Sequence, residues 1–207
     1  MRLFVHGGLP LRHTVLLALC SCATSRCGVD PPVWPRTFRL LQRKYPDSGS
    51  GNASVTTYYD VTAGANLLII TPDENKSDVL WDLELDTKSS YYFTPSRHTC
   101  TRMSFPVGIL RPDWLYGAQY LGVRPCPFQP DQQCAGWTKD RFIDYYAYLD
   151  TCAPASWYFW SMAAFFVTVS YEPGTRAPAG YFRPPSYCNV SLSSDVGVGA
   201  GFGRAIS

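Results

Sequence analysis

The sequence predicts an all-β fold: an antiparallel β-sandwich or half-open curved barrel with a short helix, cross-linked by disulfides. Three observations carry that expectation. Short runs alternate apolar and polar residues with period two, turn residues separate them at hairpin spacing, and an even set of cysteines lies behind an export signal.

Residues 1–23 read as a secretory signal peptide. Arg2, Arg12 and His13 precede the apolar run 15–19, and Ser21, Cys22 and Ala23 supply a small-residue cleavage site. That run falls well short of the ~20 residues a spanning helix needs. Residues 24–190 then form a single β-rich domain, and the Gly/Ser-rich residues 191–207 a disordered tail. The expected location is extracellular or the lumen of the secretory pathway, with no stable membrane insertion.

The strands follow in order. Residues 37–45 and 55–61 alternate, and 66–70 are apolar on both faces, as in a central strand. Ala63 and Gly64 mark a hairpin turn before that strand. In residues 78–86, Val79, Trp81, Leu83 and Leu85 share one face, while Asp82, Glu84 and Asp86 share the other. That is the pattern of a half-buried strand with one dry and one wet side. Asp86, Thr87 and Lys88 turn the chain into a strand at 89–94, and 142–149 alternates again. The aromatic, nearly uncharged stretch 155–169 is read as two core strands, 156–160 and 165–171, with a bend at Met162, Ala163 and Ala164. One helical piece is expected at 112–115, where Pro112 suits a first helical position and Gly117 offers a stop.

Composition excludes some functions. Two of the 18 basic residues, Arg2 and Arg12, fall in the leader and none of the 16 acidic ones does, so the rest of the chain is formally neutral. A nucleic-acid partner would need a basic footprint that is missing here. Of eight cysteines, Cys27, Cys100, Cys126, Cys134, Cys152 and Cys188 remain after the leader, and disulfides are their default state in an oxidising compartment. Six cysteines allow 15 pairings, and the sequence alone does not choose among them. Sequons at Asn52, Asn75 and Asn189 predict a glycoprotein.

Chemistry is harder to find. His98 is the only histidine outside the leader, and no Gly-x-Ser-x-Gly elbow accompanies it, so a loop histidine is preferred to a catalytic triad. The same scarcity argues against zinc. Asp82, Glu84 and Asp86 would suit a divalent cation, as in a sugar-nucleotide transferase, but the wet face of a strand already accounts for them. Asp73, Glu74 and Asp78 read as a solvated turn, and Asp113 with Asp144 as a carboxylate pair of unknown separation. No phosphate-binding loop is present. No catalytic residue, metal or cofactor is assigned.

The 14 Tyr, 11 Phe and 6 Trp read first as core and, where they exceed what the interior requires, as the lining of a cavity for an apolar ligand. Trp81, Trp114, Tyr146, Trp157 and Trp160 are its candidate lining residues. The expected function is binding of a hydrophobic or amphiphilic, lipid-like small molecule between the sheets, without chemistry on it. Two alternatives are carried: a calcium-dependent adhesion or matrix glycoprotein, and a carbohydrate-active enzyme with Asp82, Glu84 or Asp86 at its metal. Ligand identity and oligomeric state are left open by the sequence.

The most motif-like stretch is Phe105, Pro106, Val107, Gly108, Ile109, Leu110, Arg111, Pro112, Asp113, Trp114 and Leu115. By its prolines and glycine it reads as a rigid structural plug before it reads as a catalytic loop. Together with Tyr58-Tyr59-Asp60, Tyr120-Leu121-Gly122, Trp137-Thr138-Lys139 and Pro185-Ser186-Tyr187-Cys188, it resembles a group of secreted plant and algal proteins. More remotely, the spacing of strands, cysteines and sequons resembles ependymin-related glycoproteins. That resemblance implies a curved antiparallel sheet, similar to bacterial lipoprotein carriers, whose concave face holds a hydrophobic ligand. It also implies a Cys100–Cys188 disulfide, whose long loop would contribute ~4–5 kcal/mol. Cys27, Cys126, Cys134 and Cys152 are left unassigned.

Overall fold

The computed structural model describes residues 27–189. The leader, its cleavage site and the Gly/Ser-rich tail lie outside the described residues. Eleven strands run in chain order: β1 Thr37–Pro46, β2 Ala53–Asp60, β3 Ala65–Pro72, β4 Leu80–Leu85, β5 Ser89–Thr94, β6 Thr99–Ser104, β7 Gln119–Cys126, β8 Gln129–Lys139, β9 Ile143–Tyr148, β10 Pro154–Phe159 and β11 Ala164–Pro173.

All pair antiparallel in one sheet of order β6-β5-β4-β3-β2-β1-β11-β10-β9-β8-β7. Of the two expected architectures, the chain adopts the half-open curved one. It is an up-and-down meander closed by the β1–β11 pair and left open between β6 and β7. There is one sheet and no second layer among the described residues, so any ligand space lies on its concave face and not between sheets.

The curvature follows from distances. Strands β5 and β10 are six places apart, which is ~29 Å across a flat sheet. Yet Tyr92 of β5 and Trp157 of β10 line the same cavity. The sheet therefore wraps.

Local chemistry sets the turns. At the β2–β3 hairpin, Asp60 Oδ1 accepts from the backbone N–H groups of Thr62 and Ala63, and Gly64 takes φ 62°. The helix expected at 112–115 is instead a run of overlapping turns, in which Trp114 N bonds Arg111 O and Tyr116 N bonds Asp113 O. Consecutive tight turns let this segment follow the inner surface, which a straight helix would not. The short helices are 3₁₀ turns at Pro95–Arg97 and Ser186–Asn189.

Each face has its own core. On the concave side, Phe38, Leu40, Val55, Tyr59, Trp137, Tyr145 and Trp157 belong to one cluster. On the convex side, Leu67, Leu83 and Phe93 pack beneath Tyr181, Phe182 and Tyr187 of the C-terminal segment. Cys100–Cys188 fastens that segment, as the resemblance implied. The other disulfides are Cys126–Cys134 within the β7–β8 hairpin and Cys27–Cys152 at the N-terminal segment. All three fit an oxidising compartment.

Two segments lie against the concave face. The N-terminal stretch places Trp34 against Phe38, Tyr59, Trp114 and Trp157. Residues 105–118 run from β6 to β7, the two edges of the sheet, so they bridge its open side. Tyr59 Oη donates to Leu110 O at 2.8 Å, and Lys139 Nζ donates to Trp114 O at 2.6 Å and Tyr116 O at 3.0 Å. Ile109 and Leu115 are buried in the concave core. Gly108 is required: a Cβ there would lie 3.0 Å from Asp86 Cα and 2.6 Å from its Oδ1.

Candidate functional site

Trp114 packs on Tyr145 of β9, Trp34 bridges Trp157 of β10 to Phe38 and Tyr59 of β1 and β2, and Ile109 and Leu115 join the same concave core. Over β1–β5 the concave face is left hollow. The cavity there measures about 710 Å³, within the ~300–1,000 Å³ typical of small-molecule sites. The pleat decides its lining, because alternate residues of each strand point inward. Thus Val55, Thr57 and Tyr59 of β2, Asn66, Leu68 and Ile70 of β3, Asp82 and Glu84 of β4, and Ser90 and Tyr92 of β5 all face it. Residues 105–108 and Leu110 form its cover, with Pro106 and Val107 exposed at the rim.

The cavity is chemically two-ended. Strand register puts Phe142, Phe159 and Met162 near the β1–β2 and β10–β11 turns, an aromatic and apolar end. Glu84 pairs with Asn66 of β3 and Ser90 of β5, and Asp82 with Leu68 and Tyr92, toward the opposite end. Asn66 Nδ2 donates to Glu84 Oε2 at 2.8 Å. The remaining acceptors there have no partner among the described residues: Asn66 Oδ1 and Asp82 Oδ1 are both buried and unbonded. Further along the wall, Gln42 is 1% exposed with both amide atoms unpartnered.

Electrostatics follow from this geometry. Burial raises the Asp82 carboxyl well above the usual carboxylate range, and the Glu84 charge raises it further. Burial likewise raises Glu84, partly opposed by the bond from Asn66. Tyr92 is pushed up by burial and then by both carboxyls. Tyr59, beneath the cover, is pushed up to about 12, chiefly by burial.

This overturns the wet-face reading of Asp82 and Glu84. Their alternation with Trp81 and Leu83 is real, but Asp82 is 2% exposed. Period two states which residues share a face; it does not state whether that face meets water, and here curvature encloses it. Asp86 does not join them. It lies at the β4–β5 turn, with its carboxylate 3.6 Å from Arg111. Among the described residues no group of three His, Cys, Asp or Glu could hold a metal ion.

Of the five aromatic lining candidates, the structure brings only Trp157 to the cavity. Trp81 points to the convex side, against Phe93 and Tyr181. Trp114 belongs to the bridging segment and packs on Trp34 and Tyr145. Tyr146 is one residue out of phase with Tyr145 and packs with Cys126, Cys134 and Ala155 on the convex side. Trp160, in the β10–β11 turn, is 51% exposed. Abundance of aromatic residues marks a rich core; only register tells which side of the sheet each one serves. The polar lining residues Gln42, Asn66, Ser90 and Tyr92 are among those the sequence does not single out. Asn66, a polar side chain opening an otherwise apolar strand, is the one signal that pointed to them.

His98 caps the first 3₁₀ turn in the left-handed conformation and lies beside Tyr187, away from the cavity. Asn52 and Asn75 stand in the β1–β2 and β3–β4 turns at one end of the sheet, while the Asn189 side chain is outside the described residues.

A sheet, a bridging segment and a Cys100–Cys188 clasp all fall inside residues 33–188, which match the family model of a domain of unknown function (DUF8395). The chain belongs to that family. The matched span takes in every strand and every cavity-lining residue of this DUF8395 domain and leaves out Cys27. No curated protein matches the chain. The crystal structure of an uncharacterized conserved protein from Thermus thermophilus is similar, with a TM-score of 0.51 at 9% identity over 73% of this chain and 87% of that one. At that identity the likeness is one of fold.

Proposed function

We propose that the protein is a secreted glycoprotein that holds a hydrophobic or amphiphilic, lipid-like small molecule on the concave face of its sheet. The observation that carries this reading is the cavity of about 710 Å³, whose walls at Phe38, Val55, Leu68, Ile70, Phe159 and Phe166 are apolar. Apolar surface brought out of water there would contribute ~25 cal/mol per Å² covered, less ordering costs. The three disulfides support export through an oxidising compartment. The exposed position of Asn75 in a turn suits an attached glycan.

The test is direct. Protein purified from a eukaryotic secretory host is extracted with organic solvent, and the extract is analysed by mass spectrometry. A co-purifying amphiphile, or micromolar binding of a fluorescent fatty alcohol, is the expected result. Leu68→Trp, which fills the cavity from β3, is expected to weaken that binding at least tenfold while the melting transition persists. Protein that is free of ligand and indifferent to fluorescent fatty acids, alcohols and amines alike overturns the reading.

A further inference from the structure

The polar end of the cavity is specified more sharply than its apolar walls. Asp82 and Glu84 stand two residues apart on one strand face, ~6–7 Å along the backbone. Asn66 of β3 and Ser90 and Tyr92 of β5 flank them. Every ion pair among the described residues lies elsewhere: Arg39–Glu172, Arg43–Asp73, Arg97–Asp78 and Arg111–Asp86. Among the described residues, Lys44 is the only basic side chain in the lining. It opposes Ala53 and Phe166, three strands across from β4 and a further ~13 Å along the strands from the Asp82 row. Among the described residues, no cation of the protein therefore serves these carboxyls.

At this end of the cavity the unsatisfied atoms agree in sign, whereas the unpartnered donors of the lining, Gln42 Nε2 and Trp157 Nε1, lie on β1 and β10. Asp82 Oδ1 and Asn66 Oδ1 are buried acceptors without donors, and the Asn66 amide is committed to Glu84. Buried polar groups are normally hydrogen-bonded, and a buried charge is normally paired. A site that gathers two carboxyls and a free amide oxygen, and supplies no cation, calls for a guest bearing positive charge and several N–H donors. From this we infer that the head group seated between Asp82, Glu84 and Asn66 is a protonated amine, the ligand being a cationic amphiphile with its chain directed toward Phe142, Phe159 and Met162. This inference rests on the cavity reading above and narrows it.

Sign also fixes what is excluded. A free fatty acid would place a third carboxylate beside two others, and a neutral alcohol would supply a single donor. The groups that face the pair are Ser90 and Tyr92 on β5 and, on β3, the uncharged Asn66 and Leu68, so amine binding depends on ionisation of the two carboxyls themselves. Binding should strengthen as pH rises from mildly acidic values and release protons.

The full chain is titrated with dodecylamine, dodecanol and dodecanoate below their micellar concentrations, with EDTA present throughout. Dodecylamine is expected to bind at least tenfold tighter than dodecanol, and dodecanoate most weakly. Asp82→Asn and Glu84→Gln, each isosteric, are expected to erase most of the amine preference while leaving dodecanol affinity within twofold. Melting curves report that each variant is folded. Equal binding of all three probes overturns the head-group assignment and leaves the cavity reading standing. Tighter binding of dodecanoate, or an amine preference that survives when Asp82→Asn and Glu84→Gln are combined, overturns it as well. Failure of every probe to bind overturns both.

Discussion

A carboxylate moved from water into a protein wall loses hydration that only a cation or several donors can replace, and Asp82 has neither among the described residues. Its folded pKa lies above the unfolded value, so the native state holds a proton that the unfolded chain has already released. The contribution to stability is therefore fully present below the unfolded pKa and is lost as pH rises through the folded one. Glu84 shifts in the same direction. Each pK unit of upward displacement is worth about 1.4 kcal/mol. Denaturant midpoints measured across mildly acidic to neutral pH should fall for the native sequence. Asp82→Asn should flatten that decline and give the more stable protein at neutral pH. A midpoint that rises over the same interval contradicts the assignment.

At the scale of elements, legibility in the sequence tracked regularity. Strands β1, β2, β4, β5 and β9 were readable from alternation, β3 and the β10–β11 pair as continuous apolar runs, and their turns carry Gly, Asp and Lys where the backbone needs them. Ala63 and Gly64 before β3 and the Asp86–Lys88 turn after β4 are cases in point. Strands β7 and β8 were not readable. Register shifts at Tyr120/Gly122 and Pro125/Cys126 break their period, and Pro130 opens one of them. Such breaks are tolerated because β7 is an edge strand and residues 129–133 of β8 pair with no strand but β7, so one side makes no ladder there. The cavity was half legible: its existence followed from aromatic excess and resemblance, its lining did not. Which face of a strand looks inward is fixed by partners far away in sequence, such as β11 beside β1. The bridging segment offers the sharpest test at this scale. Gly108→Val would force it off Asp86, since even a Cβ falls 2.6 Å from Oδ1 and 3.0 Å from Cα. Overpacking of this kind typically costs ~1–3 kcal/mol. It should also raise proteolysis within residues 105–118, read by limited digestion.

Seen whole, the molecule is a barrel cut along one seam. Among the described residues ten ladders hold eleven strands, and the gap between β6 and β7 is spanned by side-chain packing and a few hydrogen bonds instead of an eleventh ladder. A sheet so curved needs its outer surface covered as well as its inner one, and β3–β5 get that cover from Tyr181, Phe182 and Tyr187. Removing the clasp by Cys100→Ser with Cys188→Ser should cost roughly 2–5 kcal/mol in chemical denaturation. The loosened segment would uncover Trp81 and Leu83, so binding of a hydrophobic dye should rise in step. An unchanged midpoint would show that packing alone retains the cover.

The β1–β11 pairing has a consequence for biogenesis. A chain emerging N-terminus first presents β1 early, and β2 occupies one flank within a few residues. The other flank stays unpaired until Ala164–Pro173 arrives. Through most of translation, then, the central strand offers a bare hydrogen-bonding edge, a template for pairing with a neighbouring nascent chain. Early sugar attachment at Asn52, in the turn that follows β1, would put a bulky hydrated group beside that edge when it is most vulnerable.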